Sequence, residues 1–246
     1  RFSNNVKIWK SKKDKRWRYL LWDIDWGYGL WDSISPSGSP NWNALAFQLS
    51  NNAGWTKKPE TKLFQHAMQN IEFKELFVTR SFDYLNFECS ALNHKKLLNQ
   101  LINELETELE LQFDLYGSDQ KTWRKEIAKI STYINKRSLF HRAHLADHCK
   151  DSLVTLALNQ VHKEFLLING HPIPNEDLVY LSKSPLQLLP KMVQGKEFLM
   201  WSDSIFSLSR KVNAGSVIPY PIYRKRNKPP GLKITSVNTA TNFNGE

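Results

Sequence analysis

The chain has 246 residues, with 41% hydrophobic and 12% aromatic content, enough for a packed core and for one large domain or two smaller ones. Its 34 Lys and Arg against 24 Asp and Glu leave a formal charge of +10, which points to an anionic partner. No apolar run of about 18 residues occurs, which excludes a recognisable transmembrane helix. Two cysteines, Cys89 and Cys149, fit either a reducing compartment or a secreted protein that needs no disulfides; one bridge between them is the alternative to the preferred reading as ordinary buried thiols.

The N-terminal stretch reads as a β-hairpin. Val6-Lys7-Ile8-Trp9 alternates, Ser11-Lys12-Lys13-Asp14-Lys15 is a polar turn, and Trp17 to Trp22 is the return strand. Residues 1–18 hold eight basic side chains against Asp14, so +7 of the +10 charge sits here. A basic ribbon with interleaved Trp is one way to bind nucleic acid. Five of the eight charges, Lys10 to Arg16, lie at or beside the turn, so a solvated tip is the preferred reading and nucleic acid is not the expected partner.

The return strand runs into Trp22-Asp23-Ile24-Asp25-Trp26-Gly27-Tyr28-Gly29. Strand residues two apart point to one face, so Asp23 and Asp25 can converge. Two convergent carboxylates in an aromatic setting need a compensating charge, and a hard divalent cation suits an all-oxygen site. The simpler reading is a pair of turn-forming aspartates. Gly27 and Gly29 let the backbone turn sharply beside a ligand.

Residues 32–43 are dense in turn formers, and a short helix follows from about Trp42 to Asn51. Residues 60–149 read as predominantly helical. Thr61–Met68 gives one helix and the stripe Ile71, Phe73, Leu76, Phe77, Phe82, Leu85 and Phe87 a second; Leu97 to Leu111 marks a third. Tyr116-Gly117-Ser118-Asp119 closes it, and Ser118 or Asp119 caps a fourth that carries Trp123, Ile127, Ile130, Ile134, Phe140 and Leu145. His141, His144 and His148 have spacings that a zinc site can use. No fixed third-ligand pattern accompanies them, so a basic amphipathic helix end is the expectation.

After Cys149 the pattern becomes strand-like: Val154–Leu158, Phe165–Ile168 before Asn169-Gly170, Leu186–Pro190 and Glu197–Trp201. We expect a small all-β module over 151–205, a basic proline-bearing linker over 206–230, and the start of a further β domain over 231–246. No P-loop, Gly-x-Ser-x-Gly, Cys-x-x-Cys or Gly-x-Gly-x-x-Gly pattern is present.

Asn4-Asn5-Val6-Lys7-Ile8-Trp9 and the stretch Trp17 to Gly29 resemble the CotH (spore coat protein H) kinase family. Asn70-Ile71-Glu72-Phe73-Lys74-Glu75-Leu76-Phe77 with Arg80 and Asp83 resembles the helix after that family's metal motif. Trp123-Arg124-Lys125-Glu126-Ile127 and Tyr133-Ile134-Asn135-Lys136-Arg137 resemble its final helix. The resemblance covers residues 4–149. It implies an α+β fold: the C-terminal portion of a divergent protein-kinase-like domain in 1–150, followed by the β module. It implies an atypical kinase that uses ATP and Mg²⁺ or Mn²⁺ to phosphorylate Ser or Thr of a protein partner. Asp23 and Asp25 would be the catalytic, metal-holding acids, without a decision between them, and Asn5 a further metal and cofactor contact.

By the same resemblance, a catalytic acid falls just before Arg1 and the phosphate-pairing lysine further upstream, so the chain is expected to be an incomplete, inactive fragment of an active parent. An extracellular or surface location on a bacterium is implied in the same way. The alternative is a catalytically inactive scaffold attached to a surface.

Overall fold

A computed structural model describes residues 6–21, 27–29, 38–50 and 54–226. Strands β1 (Val6–Lys10) and β2 (Trp17–Leu21) form the antiparallel ribbon, with Val6 opposite Leu21 and Lys10 opposite Trp17. Its tip is tied locally. The Asp14 carboxylate accepts from the Arg16 N–H at 3.1 Å and pairs with Arg18, whose guanidinium holds the Asp14 carboxyl well below the usual carboxylate range. Lys10 lies over the Trp17 ring at 5.4 Å and Arg18 over Trp9 at 5.2 Å, so part of the ribbon's charge rests on its own aromatics.

Six helices follow: α1 (Ala44–Leu49), α2 (Pro59–Ala67), α3 (Ile71–Asn86), α4 (Ala91–Leu105), α5 (Leu109–Tyr116) and α6 (Gln120–Cys149). Their starts are written in the sequence. Asn43, Asn70, Ser90 and Asp119 each accept a backbone N–H three residues on, satisfying a donor that has no partner within the helix. Gly117 closes α5 at φ 65°. The single helix expected over Leu97–Leu111 is two, broken at Glu106–Glu108 with no Gly or Pro there. Glu106 pairs with Arg124 of α6, and α4 and α5 each lie along α6, so packing on the longer helix sets the break.

The remainder is mostly strand. β3 (Leu153–Thr155) pairs with β6 (Val179–Leu181), and β8 (Lys196–Trp201) with β10 (Pro221–Lys225). β4 (Leu166–Ile168), β5 (His171–Pro172), β7 (Pro185–Pro190) and β9 (Arg210–Asn213) form an antiparallel sheet ordered β5-β4-β7-β9. Asn169 and Gly170, at φ 51° and 86°, make the tight β4–β5 connection that an Asn-Gly pair favours.

Two expectations are corrected here. The 151–205 stretch is not all-β: α7 (Gln160–Phe165) interrupts it, held by a reciprocal cap between Asn159 and His162. The 206–230 stretch is not a plain linker among its described residues. Arg210–Asn213 alternates in burial and pairs with β7, while Pro221 begins β10, where a strand tolerates the loss of an N–H. The expected strand at 232–237, and the whole of 231–246, lie outside the described residues.

The core joins both parts. Leu166, Ile168, Tyr180, Leu186, Leu188 and Trp201 of the strands are fully buried, and Val78 and Phe82 of α3 and Leu145 of α6 pack in the same cluster. Neither α4 nor α5 buries a residue completely. Cys89 and Cys149 are free thiols, each pushed up in pKa chiefly by burial. Among the described residues no helix is long and apolar enough to cross a membrane.

Candidate functional site

Asp23, Asp25 and Asn5 all lie outside the described residues. What the structure does describe is the frame on either side of the acidic couplet. β2 leads to Leu21 before it, and Gly27-Tyr28-Gly29 follows it. Tyr28 and Gly29 take successive left-handed conformations at φ 55° and 86°. That backbone is costly for Tyr and free for Gly.

The turn is laid onto α6 and α4. The Tyr28 ring meets Tyr133 edge-on at 6.0 Å and His94 at 5.7 Å, and the Tyr28 hydroxyl is 3.3 Å from His94 Nε2. Gly29 packs so closely that a Cβ there would sit 3.1 Å from Tyr133 Cδ2. One turn along α6, Arg137 donates to the Pro40 and Trp42 carbonyl oxygens at 3.0 and 2.7 Å. The helix therefore holds the chain both just after the couplet and at residues 40–42.

Two hollows border this turn. A groove of about 940 Å³ runs along α6, lined by Tyr28, Gly29, Pro40 and Tyr133 together with Lys125, Lys129 and Lys136. Spacings of four and seven put the three lysines on one helical face; Lys129 also bonds Glu126 at 2.8 Å. A cavity of about 340 Å³ lies beneath Gly27 and Tyr28, with Cys89, His94, Tyr133 and His141 in its wall. Burial, with Arg137, His144 and Arg142 nearby, pushes His141 down to about 4, so its imidazole is neutral near pH 7. His144 and His148 are lowered too, first by burial and then by Arg137 and Lys74 respectively. Among the described residues no three His, Cys, Asp or Glu side chains group as a metal-holding set.

Sequence reasoning named Lys125, Lys136 and Arg137 only as part of the family resemblance, without the groove or the anchoring contacts, and did not single out Lys129. The lysine spacing was a readable signal. The carbonyl partners of Arg137 were not, because they lie 97 and 95 residues away in sequence.

A mixed helix-and-sheet chain with a glycine turn clamped to a long basic helix is thus the class of protein on view. The family model described as CotH kinase protein matches residues 1–140, and the chain belongs to that kinase-like family. No curated protein matches the chain, and no solved structure does.

Proposed function

We propose that the protein to which this chain belongs is an atypical kinase that moves phosphate from ATP to Ser or Thr of a protein partner. Family membership over residues 1–140 supports kinase-like chemistry. The observation that carries the site is the clamped turn. Tyr28 and Gly29 are pinned on α6 beside a groove rimmed by three lysines, so the turn that follows the couplet in sequence sits next to cationic groups suited to phosphate oxygens.

The donor chemistry fits a hard cation: two carboxylates, Asp23 and Asp25, and the amide of Asn5 are all oxygen ligands of the kind Mg²⁺ or Mn²⁺ takes. Bound there, such a cation would neutralise charge on the nucleotide phosphates. The chain's own work is positional, as phosphoryl transfer requires. The glycines let the backbone come close, Tyr133 and His94 fix the turn, and Lys125 and Lys136 would steady an anionic ligand along α6. We place the protein outside the cell or on a bacterial surface, in keeping with the family's spore-coat association.

The test uses the full-length protein with labelled ATP, Mg²⁺ and dephosphorylated casein as acceptor. Asp23→Ala and Asp25→Ala are expected to abolish incorporation. Undiminished labelling in both variants would remove the couplet from catalysis. No labelling by any form, with no magnesium-dependent ATP binding, would favour the inactive scaffold.

A further inference from the structure

Helices α4 and α5 carry leucines that stay open among the described residues. Leu97, Leu101 and Leu105 follow one another at a spacing of four on α4, and Leu111 and Leu115 do the same on α5. All five are between 46% and 65% exposed. Both helices contact α6, but their half-buried Leu, Ile and Phe side chains are others: Leu98, Ile102, Leu109 and Phe113. At about 100° per residue, Leu111 and Leu115 stand on the opposite side of α5 from Leu109 and Phe113. Single exposed leucines are ordinary, whereas an exposed apolar row marks an interaction surface. A row at a spacing of four is the ridge that one helix presents to the groove of another.

The charge on the same stretch restricts what can lie there. From Leu97 to Gln120 the chain holds six acids and no Lys or Arg, in a molecule of net charge +10. The nearest bases along the sequence are Lys96 and Lys121. Glu106 pairs with Arg124, and Asp119 caps α6. Glu104, Glu108, Glu110 and Asp114 are exposed. By helical angle, Glu104 flanks the α4 ridge, and Glu108 and Asp114 flank the α5 ridge. Such a surface repels an anionic lipid headgroup or a nucleic-acid backbone. It attracts a cationic partner, and one with an apolar stripe of its own also buries the leucines.

We propose that the leucine ridges of α4 and α5 dock a basic amphipathic helix of a protein partner. Its apolar stripe would cover these leucines, and its Lys or Arg side chains would stand over Glu104, Glu108 and Asp114. The spacing of four selects a helix rather than an extended strand, and the acids select its charge. This inference does not rest on the kinase reading and uses neither the couplet nor the groove lysines.

The test titrates the full chain into a fluorescein-labelled peptide of leucine and lysine, about four turns long, with its leucines at helical spacing. Fluorescence anisotropy should show saturable binding that weakens about tenfold or more between about 50 and 300 mM salt. A peptide of the same composition in shuffled order, and one with Glu in place of Lys, should each bind about tenfold more weakly or worse. Leu101→Ser with Leu111→Ser, and separately Glu108→Lys with Asp114→Lys, should weaken binding by about tenfold or more with native circular dichroism retained. Glu72→Gln with Glu75→Gln, which alters exposed acids of α3, should leave it unchanged. If the leucine variant loses structure, hydrogen exchange on the unaltered chain decides, with peptide-induced protection expected within residues 97–116. No saturable binding up to about 1 mM, equal binding of the shuffled peptide, equal binding by the charge variant, or protection confined to other residues overturns the proposal. Salt-sensitive self-association in sedimentation velocity that the leucine change abolishes also overturns it, because a second copy of the chain would then occupy the face.

Discussion

Tyr180 donates its hydroxyl proton to Asp83 across 97 residues of chain, at 2.9 Å. Burial and the neighbouring Asp83 charge drive the Tyr180 phenol far above its ordinary range, so it stays a donor at any neutral pH. Three residues along α3, Asn86 repeats the arrangement. Its amide donates to the Val179 carbonyl at 2.9 Å and accepts from the Val179 N–H at 3.2 Å. The helix thus grips the edge of β6 through two polar side chains placed among apolar ones.

Tyr180→Phe removes the donor while keeping the ring. We expect a loss of about 1–3 kcal/mol of stability, because a buried carboxylate oxygen is left with Asn169 alone. Urea unfolding followed by tryptophan fluorescence measures it; a change near zero would show that the contact is solvated.

Gly29→Ala forces a side chain into a left-handed backbone and against Tyr133. The expected cost is about 1–2 kcal/mol, read by thermal unfolding. Magnesium-dependent ATP binding by the full-length protein should fall with it. Gly195→Ala provides the comparison: its φ is 73° but nothing lies within 4 Å of an added Cβ, so it should carry the backbone cost without the clash or the loss of binding.

Acidification should destabilise the fold between pH 6.5 and about 4. The His141 imidazole titrates at its ordinary value when unfolded but near 4 when folded. Between those limits the unfolded chain binds the extra proton, so stability is complete above the upper limit and is lost progressively toward the lower. The contribution is roughly 3 kcal/mol at most, and His144 and His148 act in the same direction. Urea midpoints at pH 7 and pH 5 should differ, and His141→Gln should shrink the difference.

Arg137→Lys retains the charge but ends one bond short of Nη1, the atom that donates to both carbonyl oxygens. We expect a loss of about 1–2 kcal/mol and faster proteolytic cutting near residues 38–42, measured by limited digestion against the parent chain.

Local chemistry made much of this fold readable in advance. Asp119 and Gly117 marked a helix start and a helix end, and Asn169-Gly170 marked a hairpin, because each acts within a few residues. The break at Glu106–Glu108 was hidden, since no Gly or Pro marks it and the α6 residues that α4 and α5 pack on lie further along the sequence. β9 and β10 were hidden for a similar reason. Their partners, β7 and β8, are distant in sequence, and a stretch rich in Lys, Arg and Pro gives no period of its own. α7 is only six residues long, and its Asn-x-x-His cap lacks the acidic or amide residue usual at the third position. At the site, the couplet was legible as chemistry, but its clamp was not. An aspartate among α3's apolar residues was visible as well, and its meaning emerged only when Tyr180 and Asn169 came to meet it.

Helix α6 has 30 residues, about 45 Å of rigid rod. Arg137 on it fastens the 40–42 carbonyls, and Arg142, about 7.5 Å further on, fastens the Leu85 carbonyl and the Asn86 amide oxygen. Both latches ride on one shaft. The carbonyls of residues 40–42 and the C-terminal end of α3 are thus referenced to the same rod.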